Sequence, residues 1–160
     1  MSRTKKLAAL ASTAAAAALT VAVTATPALA WTPGDFTATL NGNMVIDAGI
    51  AAECTDSTLS GTIDADGNLT VTDASVTGCG VTVTPEDLPW SGSLSDGVAS
   101  FSGFSMSAIG CTFGGDITGS FTGTDLPVTA TFTEQTVERT SGLLCPGSAT
   151  ITATYDFAAA

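Results

Sequence analysis

Histidine is absent from this 160-residue sequence, and basic residues are scarce. Four basic residues stand against 15 acidic ones, and Arg139 is the only basic residue after Lys6. Without histidine there is no Ser–His or Cys–His pair for nucleophilic catalysis and no imidazole metal ligand. Without a basic patch the chain has no surface that would attract nucleic acid or anionic lipid. Without a lysine after the N-terminal segment it can form neither a Schiff base nor a P-loop. We therefore expect no nucleic-acid partner.

The first thirty residues have the pattern of a secretory signal peptide. Met1–Lys6 is positively charged, Leu7–Thr26 is largely apolar, and Ala28–Ala30 matches an A-x-A cleavage site. An uncleaved membrane anchor is the alternative interpretation. Cleavage after Ala30 predicts Sec-type export of a single extracellular domain, residues 31–160, with no membrane partner after cleavage. That domain has 15 acidic residues and one basic residue, which gives a formal charge of −14.

Beyond Phe36 the sequence alternates apolar and hydroxyl residues with a period of two, which is typical of strands with one buried face. Leu69–Thr72, Val81–Thr84 and Val128–Thr133 show this alternation, and turn sequences separate the runs. No stretch after the leader has the pattern of an amphipathic helix. The fold class predicted is all-β: one β-sandwich, or a barrel-like domain, of about nine antiparallel strands.

Four cysteines follow the leader, and an even number in an exported chain predicts two disulfides. They are Cys54, Cys79, Cys111 and Cys145. The absence of a C-x-x-C spacing argues against both a zinc site and a catalytic redox pair. The bridges are therefore expected to be structural, and three connectivities are available.

Strand register selects among these connectivities. If Ile63 faces Leu69 across the intervening turn, Cys54 faces position 78, one residue from Cys79. A single β-bulge in this ladder would bring the two sulfur atoms together. The predicted bridges are Cys54–Cys79 and Cys111–Cys145.

A short acidic motif resembles the opening of a calcium loop. Asp64, Asp66 and Asn68 supply oxygen ligands in the order D-x-D-G-N, and Asp73 lies close enough in sequence to add another. The bidentate Glu at position 12 of such a loop is missing, because Ser75 stands there. Asp, Gly and Asn are also the residues that a hairpin turn selects. The alternatives are a weak calcium site and a plain turn, and no cofactor is expected.

Carboxylates are the only acid–base groups in the domain. Glu86/Asp87 and Glu134/Glu138 are the candidate pairs, since a glycosidase needs two carboxyl groups that flank the scissile bond. Neither pair has a supporting aromatic array, and no nucleophile–base constellation can be assembled. We therefore assign no catalytic residue and expect a non-enzymatic protein.

Three aromatic residues, Trp31, Trp90 and Tyr155, are candidates for stacking on a ligand. Aromatic rings stack well on sugar faces, but rings scattered this widely more often pack in a core. Three function classes follow: an extracellular or cell-wall-associated protein, a module that binds carbohydrate or a small apolar molecule, and a protease inhibitor. The inhibitor would present Leu143–Pro146, a segment that a disulfide would hold rigid. The oligomeric state is left open.

Short motifs along the domain resemble those of small secreted actinobacterial proteins of unknown function. The motifs are Cys54-Thr55, Leu59-Ser60-Gly61, Gly78-Cys79, Leu88-Pro89-Trp90, Cys111 and Leu144-Cys145-Pro146. Through the Cys-Thr and Leu-Pro-Trp elements the chain is also distantly similar to the alkane-oxidation activator family of exported bacterial proteins. These resemblances imply an exported all-β protein and assign no catalytic residue.

Overall fold

The alternating segments form eleven antiparallel strands in the computed structural model, which describes residues 30–160. The strands are β1 Gly34–Leu40, β2 Met44–Asp47, β3 Ala51–Cys54, β4 Asp56–Ile63, β5 Asn68–Thr77, β6 Val83–Pro85, β7 Trp90–Ser95, β8 Val98–Ala108, β9 Cys111–Thr122, β10 Val128–Ser141 and β11 Ser148–Ala159. Apart from Ala30, the predicted signal peptide lies outside the described residues. Between residues 30 and 160 no helix is long and apolar enough to cross a membrane.

Eight of the strands close into a barrel. The order around the barrel is β1, β4, β5, β7, β8, β9, β10 and β11, and each strand pairs with the next one. β11 pairs back with β1, from Phe36↔Ala159 to Leu40↔Tyr155. β2 and β3 extend the β1–β4 hairpin, while β6 adds to β8. The all-β prediction is confirmed. Of the two architectures expected, the structure has the barrel, with eleven strands in place of about nine, because its one sheet closes on itself.

The strands run alternately up and down, so their connections gather at two ends of the barrel. We call one end the base; its connections are residues 64–67, 96–97 and 123–127. We call the other end the crown; its connections are residues 48–50, 78–82, 109–110 and 142–147. Both disulfides lie at the crown.

A single bulge sets the first disulfide. The β4–β5 ladder runs from Ile63↔Leu69 to Gly61↔Val71, and the register then shifts by one residue at Ser60↔Asp73. The shifted register continues to Asp56↔Thr77. Two positions further out on each side, the same register brings Cys54 opposite Cys79. The predicted pairing, Cys54–Cys79 with Cys111–Cys145, is confirmed.

Inward-facing residues fill the base half of the barrel. Phe36 and Phe157, on the paired strands β1 and β11, are completely buried with ring centroids 5.6 Å apart. Leu94, near the end of β7, is also completely buried. Large side chains from strands on several sides of the barrel pack closely in this part of the interior. The crown half is packed differently.

Candidate functional site

A cavity of about 40 Å³ lies inside the barrel, in the half nearer the crown. Its lining includes Met44 from β2, Val76 from the end of β5, Pro85 from β6, Met106 from β8 and Ile151 from the start of β11. Val76, Met106 and Ile151 lie close to the crown ends of their strands. Met44 and Pro85 belong to the short strands β2 and β6, which pair with the crown ends of β11 and β8. An eight-stranded barrel is just wide enough to be filled by side chains or to hold one small ligand. Here the base half is filled and the crown half is partly open.

The cavity offers no free hydrogen-bonding group. Among the side chains that line it, only those of Trp90 and Tyr155 contain a polar atom. The Trp90 indole N–H donates to the backbone carbonyl of Glu86 at 2.8 Å, and the Tyr155 hydroxyl is 2.7 Å from the Ser57 hydroxyl. A polar ligand would lose its hydrogen bonds to water without replacement, so the chemistry of the cavity favours a hydrocarbon group.

Tyr155 belongs to a buried hydrogen-bond chain. The Ser57 hydroxyl donates to the backbone carbonyl of Ser75 at 2.8 Å, so the Tyr155 hydroxyl is the donor in its bond to Ser57. Burial raises the pKa of Tyr155 to about 12. The hydroxyl is therefore neutral and paired at any physiological pH.

Two methionines make the cavity wall adaptable. Met44 and Met106 are buried and lie on strands that pair with Cys54 and Pro85 respectively. An unbranched thioether side chain has three rotatable bonds and refills irregular space at little cost. Met44 and Met106 are therefore the lining side chains that change rotamer most readily.

Trp31 closes the opposite end of the barrel. Its backbone N–H donates to Ala65 at 3.0 Å, and its ring packs against Phe121 with centroids 5.7 Å apart. Gly67 has a positive φ of 82°, and a Cβ there would come within 2.6 Å of the indole nitrogen. Glycine at this turn therefore serves both the backbone conformation and the seating of Trp31.

The three aromatic candidates are thus divided between two places. Trp90 and Tyr155 both line the cavity, whereas Trp31 lies at the base beside an open cleft of about 550 Å³ that is rimmed by Asp66 and Asp96. All three rings are buried. The structure does not bring them together as one stacking platform, and ligand contact by Trp90 and Tyr155 stays a prediction.

The calcium candidates are also separated. The Asp64 carboxylate accepts hydrogen bonds from the Asp66 and Asn68 backbone N–H groups and from the Asn68 side chain, which hold the Asp64 pKa below its ordinary value. Asp73 lies along β5, opposite Ser60. Within residues 30–160 no group of three or more acidic or cysteine side chains is placed to hold a metal ion. Asp64 organises the turn, and calcium binding stays a prediction.

The carboxylate pairs occupy unrelated positions. Glu86 accepts a hydrogen bond from the Ser107 hydroxyl at 2.6 Å, next to the interruption between β6 and β7. Glu134 and Glu138 are both exposed on β10.

The sequence did not predict Met44 and Met106 as cavity residues. Their alternation marks them as buried, but no local signal says that the space beside them is open.

One family model matches residues 1–159, and its description is alkane oxidation protein activator PraA/PraB-like. No curated protein and no solved structure matches the chain. The family match covers all four cysteines and every residue of the cavity.

Proposed function

Because this chain belongs to the PraA/PraB-like family of alkane oxidation protein activators, we propose that it is an exported, non-enzymatic protein that binds the hydrocarbon part of a small molecule in its barrel. The observation that carries the proposal is the cavity in the crown half, where every polar atom of the lining side chains is already paired. The two disulfides are compatible with an extracellular protein.

The shape and chemistry of the cavity narrow the ligand class. A resting volume of about 40 Å³ suits the end of an unbranched chain rather than a ring system. Carbohydrate would require several convergent polar groups to replace the water around its hydroxyls. We therefore favour a small apolar ligand over a sugar, in agreement with a family whose description refers to alkane oxidation.

Trp90 provides a direct optical test. The chain has two tryptophans, so Trp31→Phe leaves Trp90, which lines the cavity, as the only indole. Titration with decan-1-ol should give a saturable change in Trp90 fluorescence. The heat capacity change measured by calorimetry should be negative, because apolar surface is buried.

A filled cavity provides the control. Ala153→Leu places a larger side chain in the lining and should abolish the saturable signal, whereas Thr150→Leu changes an exposed position on the same strand and should leave it intact. Melting curves of both variants establish that they fold. Absence of saturable binding by the parent protein, or full binding by Ala153→Leu, would refute the proposed function.

A further inference from the structure

The crown connections carry exposed aliphatic side chains and no charge. The exposed residues, with their fractional exposure, are Ile50 87%, Val81 38%, Ile109 79%, Leu143 99% and Leu144 99%. None of the four crown connections contains an acidic or basic residue, in a chain that has 15 acidic residues. Such a concentration of exposed aliphatic residues at one end marks an interaction surface.

The four connections are neighbours in space. The pairing Val83↔Ala108 places residues 78–82 beside residues 109–110. The Cys111–Cys145 disulfide joins residues 109–110 to residues 142–147, and the pairing Thr150↔Asp47 places the latter beside residues 48–50. The Arg139 guanidinium also donates to the Cys145 carbonyl at 2.7 Å. The crown is therefore continuous, and its longest connection is braced before any partner arrives.

The base has the opposite character. Each of its three connections carries at least one acidic residue: Asp64 and Asp66 in the first, Asp96 in the second and Asp125 in the third. The one other large aliphatic residue that is exposed in the described chain, Val98, is 48% exposed and begins β8 at this end. The molecule thus has an acidic end and an aliphatic end. The charged side chains that are hydrogen-bonded to the crown connections have opposite signs: the Asp47 carboxylate accepts from the Gly49 N–H at 2.8 Å, and Arg139 donates to Cys145.

We propose that the crown docks on an uncharged lipid surface, with its aliphatic side chains inserted among the headgroups. Aliphatic side chains reach about 5–10 Å into the boundary between headgroups and acyl chains, and this insertion needs no counter-charge. An anionic surface would repel a domain with a formal charge of −14, whereas a phosphatidylcholine surface would not.

A protein partner fits the crown less well. Protein interfaces are anchored mainly by aromatic residues and arginine that fill pockets, whereas the exposed crown side chains are all aliphatic. The expectation of no membrane partner came from cleavage of the leader and from the absence of a basic patch. Docking depends instead on the surface that makes contact. Here the connections contain no charged residue, and the two charged side chains hydrogen-bonded to them, Asp47 and Arg139, have opposite signs.

Docking also places the cavity beside the lipid, because both lie in the crown half. Apolar molecules partition into lipid, so the crown would meet them where they are most concentrated. This inference goes beyond the proposed function and does not require an occupied cavity. A variant with a filled cavity therefore separates the two.

The test is flotation of the protein, in the form that the producing cell releases, with phosphatidylcholine vesicles. Leu143→Ser/Leu144→Ser should lower the partition coefficient at least tenfold, since inserting a leucine side chain is worth about a factor of ten or more. Val98→Ser is the matched control at the base and should bind as the parent does. Because these side chains are exposed, all three proteins should melt alike.

Further measurements identify the interaction. Ala153→Leu should bind vesicles as the parent does, even though it no longer binds decan-1-ol. Vesicle binding by the parent should persist in high salt, because the contact is apolar. Phosphatidylglycerol vesicles should bind less at low salt. Failure of the parent protein to float, or an equal loss in Val98→Ser, overturns the proposal. Inhibition of a leucine-specific protease by a non-floating parent would assign the crown to a protein partner instead.

Discussion

Tyr155 is the only tyrosine of the chain, and it lies between the cavity and a buried hydrogen-bond chain. Its hydroxyl donates to Ser57, which in turn donates to the carbonyl of Ser75. Ionisation inside the barrel would place a charge where water cannot solvate it, which is why burial raises its pKa to about 12. The ordinary value of 10 still applies in the unfolded chain.

This difference predicts a loss of stability in alkali. Below pH 10 the contribution of Tyr155 is complete, and it falls as the pH rises from 10 to about 12, because unfolding then releases a proton. Absorbance titration of the native phenol should have its midpoint near 12, and Tyr155→Phe should lack this alkaline loss. A native midpoint at 10 would show that solvent reaches the hydroxyl.

At the scale of elements, two disulfides brace the crown in different ways. Cys54–Cys79 extends the end of the β4–β5 ladder and is buried. Cys111–Cys145 joins the start of β9 to the crown connection 142–147 and is only partly buried. Their sequence separations are similar, 25 and 34 residues, so the constraint on the unfolded chain is similar as well.

Burial should therefore distinguish the two bridges. Loss of either should lower the free energy of unfolding by about 3–4 kcal/mol through chain entropy. Cys54→Ala/Cys79→Ala should cost more than Cys111→Ala/Cys145→Ala, because it also leaves a void in the core. Denaturant unfolding of both double variants measures the difference. An equal or reversed order would show that the crown connections depend more on their bridge than the buried ladder does.

At the scale of the whole molecule, charge of one sign dominates. Residues 31–160 include 15 carboxylates and one guanidinium, so most carboxylates are repelled by their neighbours. Asp64 and Asp125 are different: hydrogen bonds from Asn68 and from Thr32 hold their pKa values below the ordinary value. Their contribution to stability is present above pH 3.8 and is lost as the pH falls further, through their folded pKa values.

Repulsion among the remaining carboxylates predicts that the protein melts at a higher temperature near pH 5 than near pH 8 at low salt, and that about 0.5 M sodium chloride narrows the gap. Asp64 and Asp125 stay ionised throughout that interval and do not affect the comparison. Equal melting temperatures at both pH values, whatever the salt, would contradict the argument. In the same series of melting curves, a rise in melting temperature with calcium that magnesium cannot reproduce would establish a calcium site at Asp64–Asn68.

Local pattern was sufficient for the all-β class and for one disulfide, although it predicted about nine strands where the structure has eleven. Alternation of apolar and hydroxyl residues reports which face of a strand is buried, and this depends only on neighbours in sequence. The Cys54–Cys79 bridge was predictable because the turn at residues 64–67 aligns the chain on its two sides to within one residue, and a single bulge supplies the remaining shift. The short cysteine and Leu-Pro-Trp motifs likewise pointed to the family that the whole-chain match establishes.

Tertiary structure alone decided the closure, the cavity and the crown. A sandwich and a barrel share the same alternation, and only the long-range pairing of Phe36 with Ala159 distinguishes them. The cavity exists because side chains from strands distant in sequence meet at the base and leave space toward the crown. The crown is a surface because four uncharged connections, each unremarkable in the sequence, emerge at one end. These features depend on which residues meet across the barrel. The alternation of apolar and hydroxyl residues along each strand does not determine which strands come together.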